Sequence, residues 1–447
     1  MQSIQSRVHS RCARSTSGAL QVASACSAGA LIAAGFLLSG NVAHAAGNTF
    51  IVDTNGDPGP PGTQSLRQAI GAANASAGNT IQFSNALVGS TITLANGEIA
   101  ISQAMNIVGP GAGRLTISGN DATRLFLITA PGTVAFSGIT LTRGHAAPPL
   151  AGGAIGAFYT SVALQDSVIS DSAAKAGGGM FAMNSNVTIV NSHIAGNTAT
   201  YSGAGVLARC AASCGAAISV SQSTITGNVA GQSGAGLYAY HMHDVTISQS
   251  LFNANRCNPP TGQRGGAIFL YAVQNPKIVN STITGNYAAS EGGAIYADFA
   301  YIAFSTITQN ATQSDSSNGL FAASGGEVQL QDSIVANNTN ATSTSDLSGT
   351  ITANFSLIKS PGSASLSGTN SIIGVDPQLG ALANHGGATA TMLPASSGPA
   401  VNAGEVTPAF AVDQRGLPRP VATHADIGAV ELQTTEDVIF RDRFEGY

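Results

Sequence analysis

The 447-residue sequence has no Trp, only 9% charged residues and only 6% aromatic residues. Ordinary soluble domains carry about 25% charged residues. Lysine is almost missing: Lys175, Lys277 and Lys359 are the chain's three, and 17 Lys and Arg stand against 22 acids. That balance leaves no basic stripe to neutralise phosphates, so nucleic acid is excluded as a partner. Disorder is excluded as well, because 43% of the chain is hydrophobic and disordered chains are apolar-poor and charge-rich. With 54 Gly and 17 Pro the chain is punctuated too often for a helical bundle, and no G-x-y period points to collagen.

Cysteine is scarce, and only Cys210, Cys214 and Cys257 lie beyond residue 45. This is no dense disulfide framework. In an oxidising compartment one disulfide and one odd thiol are possible. Cys210 and Cys214 are the expected pair, with three unpaired thiols as the alternative. Long apolar runs are also missing, apart from Ala28–Leu38. That run follows Arg7, Arg11 and Arg14 and ends near Ala43-His44-Ala45, the basic–apolar–small order of a secretory signal. It is shorter than the ~20 residues that span a bilayer. Residues 1–45 are therefore expected to be a signal peptide, with an anchor helix as the alternative reading. Its loss would take the net charge from −5 to −8, since it carries three Arg and no acid. No transmembrane segment is expected in the mature chain.

What the sequence has in abundance is repetition. Seven segments superpose on Ser167, Ser192, Ser223, Ser250, Ser281, Ser305 and Ser333. An aliphatic residue stands three positions before each serine and an apolar one two positions after it (Ile189 and Ile194 around Ser192, for example). Asn stands five positions after six of the seven, from Asn197 to Asn338, with Ser172 as the exception. Upstream of each serine lies a second block, such as GGAIFLY at 265 and GGAIYAD at 292. Its fourth position is always aliphatic or Met, and its sixth is Ala except for Leu270. Such alternation marks strands. Each unit is read as about three short strands separated by Gly, Asn or Ser turns.

One unit cannot bury its apolar face alone, whereas stacked units can. The expected fold is therefore all-β: a single-stranded parallel β-helix of about ten to twelve rungs with capped ends. Asn suits the left-handed backbone of a turn and can hydrogen-bond its stacked equivalents. Neither the serine nor the asparagine column reads as catalytic, because a nucleophile is needed once and not seven times. Met105–Val108, Leu115–Ser118 and the stretch Val134–Gly144 fit earlier rungs, and SLRQAI (Ser65–Ile70) reads as a short capping helix. The expected organisation is a signal peptide (1–45), an N-terminal cap (46–100), β-helix repeats (101–345), irregular last rungs with a C-terminal cap (346–432), and a charged, aromatic tail (433–447).

The GGAIY…STITGNYA units resemble repeats of polymorphic outer-membrane proteins and the wider pectate-lyase-like right-handed β-helix superfamily. QSLRQAIGAANASAGNTIQF (Gln64–Phe83) resembles the CSLREA domain of exported bacterial proteins, with Gln64 in place of its Cys and Gln68 in place of its Glu. Asp376–Gly404, Asp413–Pro420 and Asp426–Glu431 resemble a choice-of-anchor Q domain. The resemblance implies right-handed coiling and a secreted or cell-surface location in a Gram-negative envelope. It implies no particular reaction.

The superfamily includes polysaccharide-cleaving enzymes, so the placement of the acids decides whether the chain can be one. A glycosidase needs two carboxyls roughly 6.5–9.5 Å apart, and a calcium-assisted lyase needs clustered carboxylates with a base. The sequence has no Asp-Asp pair, Arg143-Gly144-His145 lacks the last Gly of a Gly-His-Gly motif, and Asp166, Asp171 and Asp298 are scattered. No catalytic residue is assigned and no cofactor is expected. Cys210, Cys214, His241 and His243 could hold zinc, but the C-x3-C plus H-x-H spacing is loose, so no metal is expected. The better candidate is aromatic. If the fourth and sixth block positions face inward, Tyr238, Tyr240, Tyr271 and Tyr296 form an outward stripe suited to a polysaccharide or other cell-surface glycan. If the faces are reversed, the rings are a core stack. The function read from these features is non-enzymatic, because no acid–base set is found: adhesion, or glycan or extracellular-matrix interaction, by a secreted or cell-surface protein. A polysaccharide lyase or hydrolase and a structural spacer rod are the alternatives.

Overall fold

A computed structural model describes residues 47–433, apart from 213, 259–262, 315–318 and 406–407. The expected signal peptide and nearly all of the expected tail lie outside the described residues. The chain winds into a right-handed parallel β-helix of about 11 turns, with very little helix. A representative rung runs through four strands: Met180–Met183, Asn186–Val190, His193–Ala195 and Thr198–Ala199. The sequence reading expected three. The extra break falls where Asn184 takes a positive φ of 49°, which ends one strand and starts another inside what reads as a continuous alternation. In two later rungs this break disappears, and Ile295–Ala303 and Leu320–Gln331 run as single long strands. Strands of successive rungs pair in parallel, in sheets of 21, 12 and 7 described strands.

The stacking follows from the side chains. Ile155, Met180, Val206, Leu237, Ile268, Ile295 and Leu320 are in register from rung to rung, and all are fully buried. The sixth-position residues, Ala157 through Ala322, are buried beside them in one continuous core. Each layer thus removes apolar surface of the next from water, which drives the coiling. Repeat spacing varies and the pairing shifts register between Ala297 and Phe299, but the inward columns stay aligned because most extra residues lie in insertions between strands. One lies between Arg209 and Ala217 and another between Cys257 and Ile268. At Gly265 φ is +62°, and a Cβ would collide with the carbonyl of Ile268, so only Gly fits at this entry to the strand.

Both polar columns are ladders. The Ser167 N–H donates to Ser192 Oγ at 3.2 Å, Ser192 N–H to Ser223 Oγ at 3.1 Å, and so on through Ser333 to Ser356. Each Asn donates from its backbone N–H and from Nδ2 to Oδ1 of the next Asn, as from Asn228 to Asn255 at 3.2 and 2.9 Å. The asparagines do not themselves take the left-handed backbone expected of them. That conformation sits one residue earlier, at Gly196, Gly227, Ala254, Gly285, Gln309 and Asn337. The asparagine is instead fully buried at the corner, where its side chain also donates to strand carbonyls of the preceding rung, such as Ile225 O at 2.9 Å from Asn255 Nδ2.

The helix Leu66–Ala73 closes the N-terminal side of the core with Leu66, Ala69, Ile70 and Ala73. It begins in a capping box, in which Ser65 accepts from the Gln68 N–H and Gln68 Oε1 accepts from the Ser65 N–H. Gln68 thus does the work that Glu does in the usual box. After the last strands the chain folds back along the coil. Residues 389–429 reach Gln249, Ser250, Asn280, Thr282 and Thr306, more than 120 positions earlier. This strap carries a buried ionic cluster: Asp413 with Arg415 at 2.9 Å, and Arg419 with Glu431 at 3.3 Å, all with side chains at most 1% exposed.

Candidate functional site

The fourth and sixth block positions face the core, so the fifth and seventh face outward. The outward rings stack along the coil. Tyr238 and Phe269 have ring centroids 4.7 Å apart, Phe269 and Tyr296 5.1 Å, and Tyr296 and Phe321 5.2 Å, with planes within 8° of parallel. A parallel row follows at the seventh position, where Tyr240 and Tyr271 lie 5.8 Å apart. The cause is the register: Tyr238 pairs with Phe269 and Tyr240 with Tyr271, so equal positions on successive strands must superpose.

The four tyrosines expected to form the stripe do not share one environment. Tyr271 is 42% exposed, while Tyr296 is only 5% exposed. Phe269 and Phe321 flank Tyr296, and the Arg264 guanidinium sits 5.0 Å over its ring. Tyr296 therefore supports the stack and is covered by its neighbours. Tyr238 and Tyr240 are half-buried and line a cleft of about 540 Å³. Burial pushes the Tyr238 hydroxyl above its ordinary pKa, helped by Tyr240 and opposed by Arg209. It remains a neutral donor at physiological pH.

The cleft lies between this aromatic floor and the loops that enter the strands. Its loop side is formed by Pro149, Lys175, Tyr201 and Gln232, and its far end by Arg209. The Lys175 ammonium stands 4.7 Å over the Tyr201 ring, an arrangement that holds the cation in place without neutralising it. Arg209 is exposed and in register with Tyr240. Arg209 holds the seventh block position, like Tyr240, and so belongs to the outward face, whereas the sequence pattern outside the block left Lys175, Tyr201 and Gln232 unassigned. The signal was available two residues before five of the glycine blocks, where Leu150, Lys175, Tyr201, Gln232 and Gln263 form a column of large side chains that ends at Ser290.

The acids do not converge here. Asp166 accepts from Asn191 Nδ2 at 2.6 Å, Asp298 accepts from the Ala272 N–H at 2.7 Å, and neither lines the cleft. Among the described residues no group of three or more His, Cys, Asp and Glu could hold a metal ion. Cys210 and Cys214 are joined in a disulfide with Cα atoms 5.7 Å apart. His243 pairs with Asp244 at 2.8 Å and His241 stacks on Tyr240 at 4.0 Å. The residues weighed as zinc ligands are thus committed elsewhere. Cys257 is a buried free thiol, pushed up to about 12 by burial. Among the described residues no helix is long and apolar enough to cross a membrane.

The family described as "Right handed beta helix region" matches residues 72–300, slightly more than half of the chain. The chain belongs to that family. No curated protein matches it. Among solved structures, this right-handed β-helix is similar to the crystal structure of pectate lyase Pel9A, with a TM-score of 0.54 at 13% identity, over 86% of this chain and 96% of that one. At that identity the likeness is one of fold.

Proposed function

We propose that this right-handed β-helix is an exported, non-enzymatic glycan-binding protein of the cell surface or its surroundings. The observation that carries the reading is the outward ring stack ending in the 540 Å³ cleft at Tyr238 and Tyr240. Exposed apolar surface rimmed by polar groups marks a binding site, and Tyr offers a rigid apolar face with a polar tip. A repeat at the strand spacing of about 4.8 Å favours an elongated polymer over a compact ligand. The basic, apolar and small segments of residues 1–45 support export. The resemblances at Gln64–Phe83 and Asp376–Glu431 support a surface role.

The likeness to pectate lyase Pel9A favours a second reading, a polysaccharide-cleaving enzyme. Against it stands the scatter of Asp166, Asp171 and Asp298, none of which lines the cleft. The test is affinity electrophoresis in gels containing soluble cell-wall and matrix polysaccharides. The native protein is expected to be retarded by at least one of them, and Tyr238→Ala with Tyr240→Ala is expected to lose at least about tenfold in affinity, the scale of losing buried aromatic anchors. Equal retardation of the variant and the native protein would move the site elsewhere. Retardation by no polysaccharide would end the reading.

A further inference from the structure

Two of the few basic side chains in this acidic protein stand in the cleft without a carboxylate partner among the described residues. Arg67, Arg124, Arg143, Arg264, Lys359, Arg415 and Arg419 each meet a carboxylate. Five others, Arg114, Lys175, Arg209, Arg256 and Lys277, form no salt bridge among the described residues, and of these Lys175 and Arg209 line the same cleft. No Asp or Glu stands among the cleft's lining residues. The net charge of −5 makes this a local positive site on a negative body, an arrangement that focuses an anion toward the cleft.

Resting on the glycan reading above, we propose that the polymer bound there is anionic, carrying carboxylate or sulfate groups, and that Lys175 and Arg209 grip those groups directly, without a bridging divalent cation. The positions suit such a grip. Lys175 stands on the loop side and Arg209 at the last residue of the strand Val206–Arg209, with the rings of Tyr238 and Tyr240 beside them. Lys175 precedes the strand Met180–Met183 and Arg209 ends the paired strand on the next rung, so the two charges flank opposite ends of neighbouring strands and address different points of an extended chain while the rings carry its apolar face. The Arg209 guanidinium offers a planar fork that pairs with two anion oxygens at once. The Lys175 ammonium is steered by Tyr201 and keeps its donors free for a ligand. A cation-bridged grip would instead require protein carboxylates at the cleft, and none line it.

The test uses the native chain and three polymers that share one backbone: hydroxyethyl-cellulose, carboxymethyl-cellulose and cellulose sulfate. In affinity electrophoresis at low and physiological salt, at least one anionic polymer is expected to bind about tenfold or more tightly than the neutral one, a gap of about 1.4 kcal/mol. The preference is expected to shrink with salt and to survive EDTA. Lys175→Met with Arg209→Met is expected to bring anionic binding down to the neutral level, and Lys175→Arg with Arg209→Lys to keep the preference. The carboxymethyl and sulfate arms say which anion is favoured. Equal binding of all three polymers by the native protein would overturn the charge-reading and leave glycan binding standing. A preference that persists in the double Met variant, or that EDTA abolishes, would overturn the direct grip. Binding of none of the three, together with retardation by no other polysaccharide, would remove both proposals.

Discussion

At the end of the asparagine ladder stands Asp346, which accepts from the Asn338 N–H at 2.9 Å, from Asn338 Nδ2 at 2.8 Å and from the Ser360 N–H at 2.7 Å. An acid suits the last place, because a terminal Asn would turn its Nδ2 toward the Ser360 N–H, donor against donor. Burial pushes the carboxyl up to about 6 from 3.8, against the three donated hydrogen bonds and Lys359, which pull it down. A raised acid means that the ionised form weakens folding. The contribution is therefore fully present below about pH 4 and is lost as pH rises through about 6. Asp346→Asn is expected to remove a pH-dependent term of order 1–3 kcal/mol from urea-unfolding stability compared between pH 4.5 and 7.5. An unchanged difference between those two pH values would contradict this assignment. The ladder was legible in the sequence because six asparagines repeat in phase. Its terminator was not legible, because Asp346 comes only eight residues after Asn338 and breaks the phase.

Among the elements, the rungs and the N-terminal helix were readable and the strap's position was not. Alternation and period report a local pattern, and Ser65 through Ile70 carry a recognisable helix start. The strap has no period, and its hydrogen-bond partners on the coil lie 73 to 164 residues away. Residues on the coil show its effect only after the fact. The strand Thr282–Thr284 is buried at all three positions, whereas its uncovered counterpart Thr224–Thr226 is buried only at the middle one. Arg419 holds this element down: its guanidinium donates to Gly428 O at 2.9 Å and to Asn280 Oδ1 at 3.3 Å, and lies 4.4 Å over the Phe304 ring. Arg419→Met would leave Glu431 buried without its cation, at a cost of about 3–5 kcal/mol. Local opening precedes global unfolding in such structures. Limited proteolysis is therefore expected to cut the variant between residues 389 and 433 while its β-sheet circular dichroism stays intact. Loss of the sheet signal at the same protease concentration would mean that strap and coil unfold as one.

For the molecule as a whole, repetition supplies the fold and the departures from repetition supply the site. The inward columns are uniform, so the β-helix could be read from a single unit. The cleft depends on which large side chains occupy variable positions on different rungs, and on loops whose lengths follow no rule. For that reason the block positions of Tyr238, Tyr240 and Arg209 place them on the outward face, whereas Lys175, Tyr201 and Gln232 stand outside the alternating block, where the pattern gives their column but not the direction it faces. The most direct test of a polymer-binding but non-cleaving coil joins two readouts in one experiment. The native protein is incubated with each polysaccharide that retards it, with and without added calcium, and the polymer's length distribution is followed by size-exclusion chromatography. The expected result is a retained polymer of unchanged length. A polymer that shortens with time, and ceases to shorten when Asp166 or Asp298 is replaced by Asn, would contradict it and make this coil an enzyme.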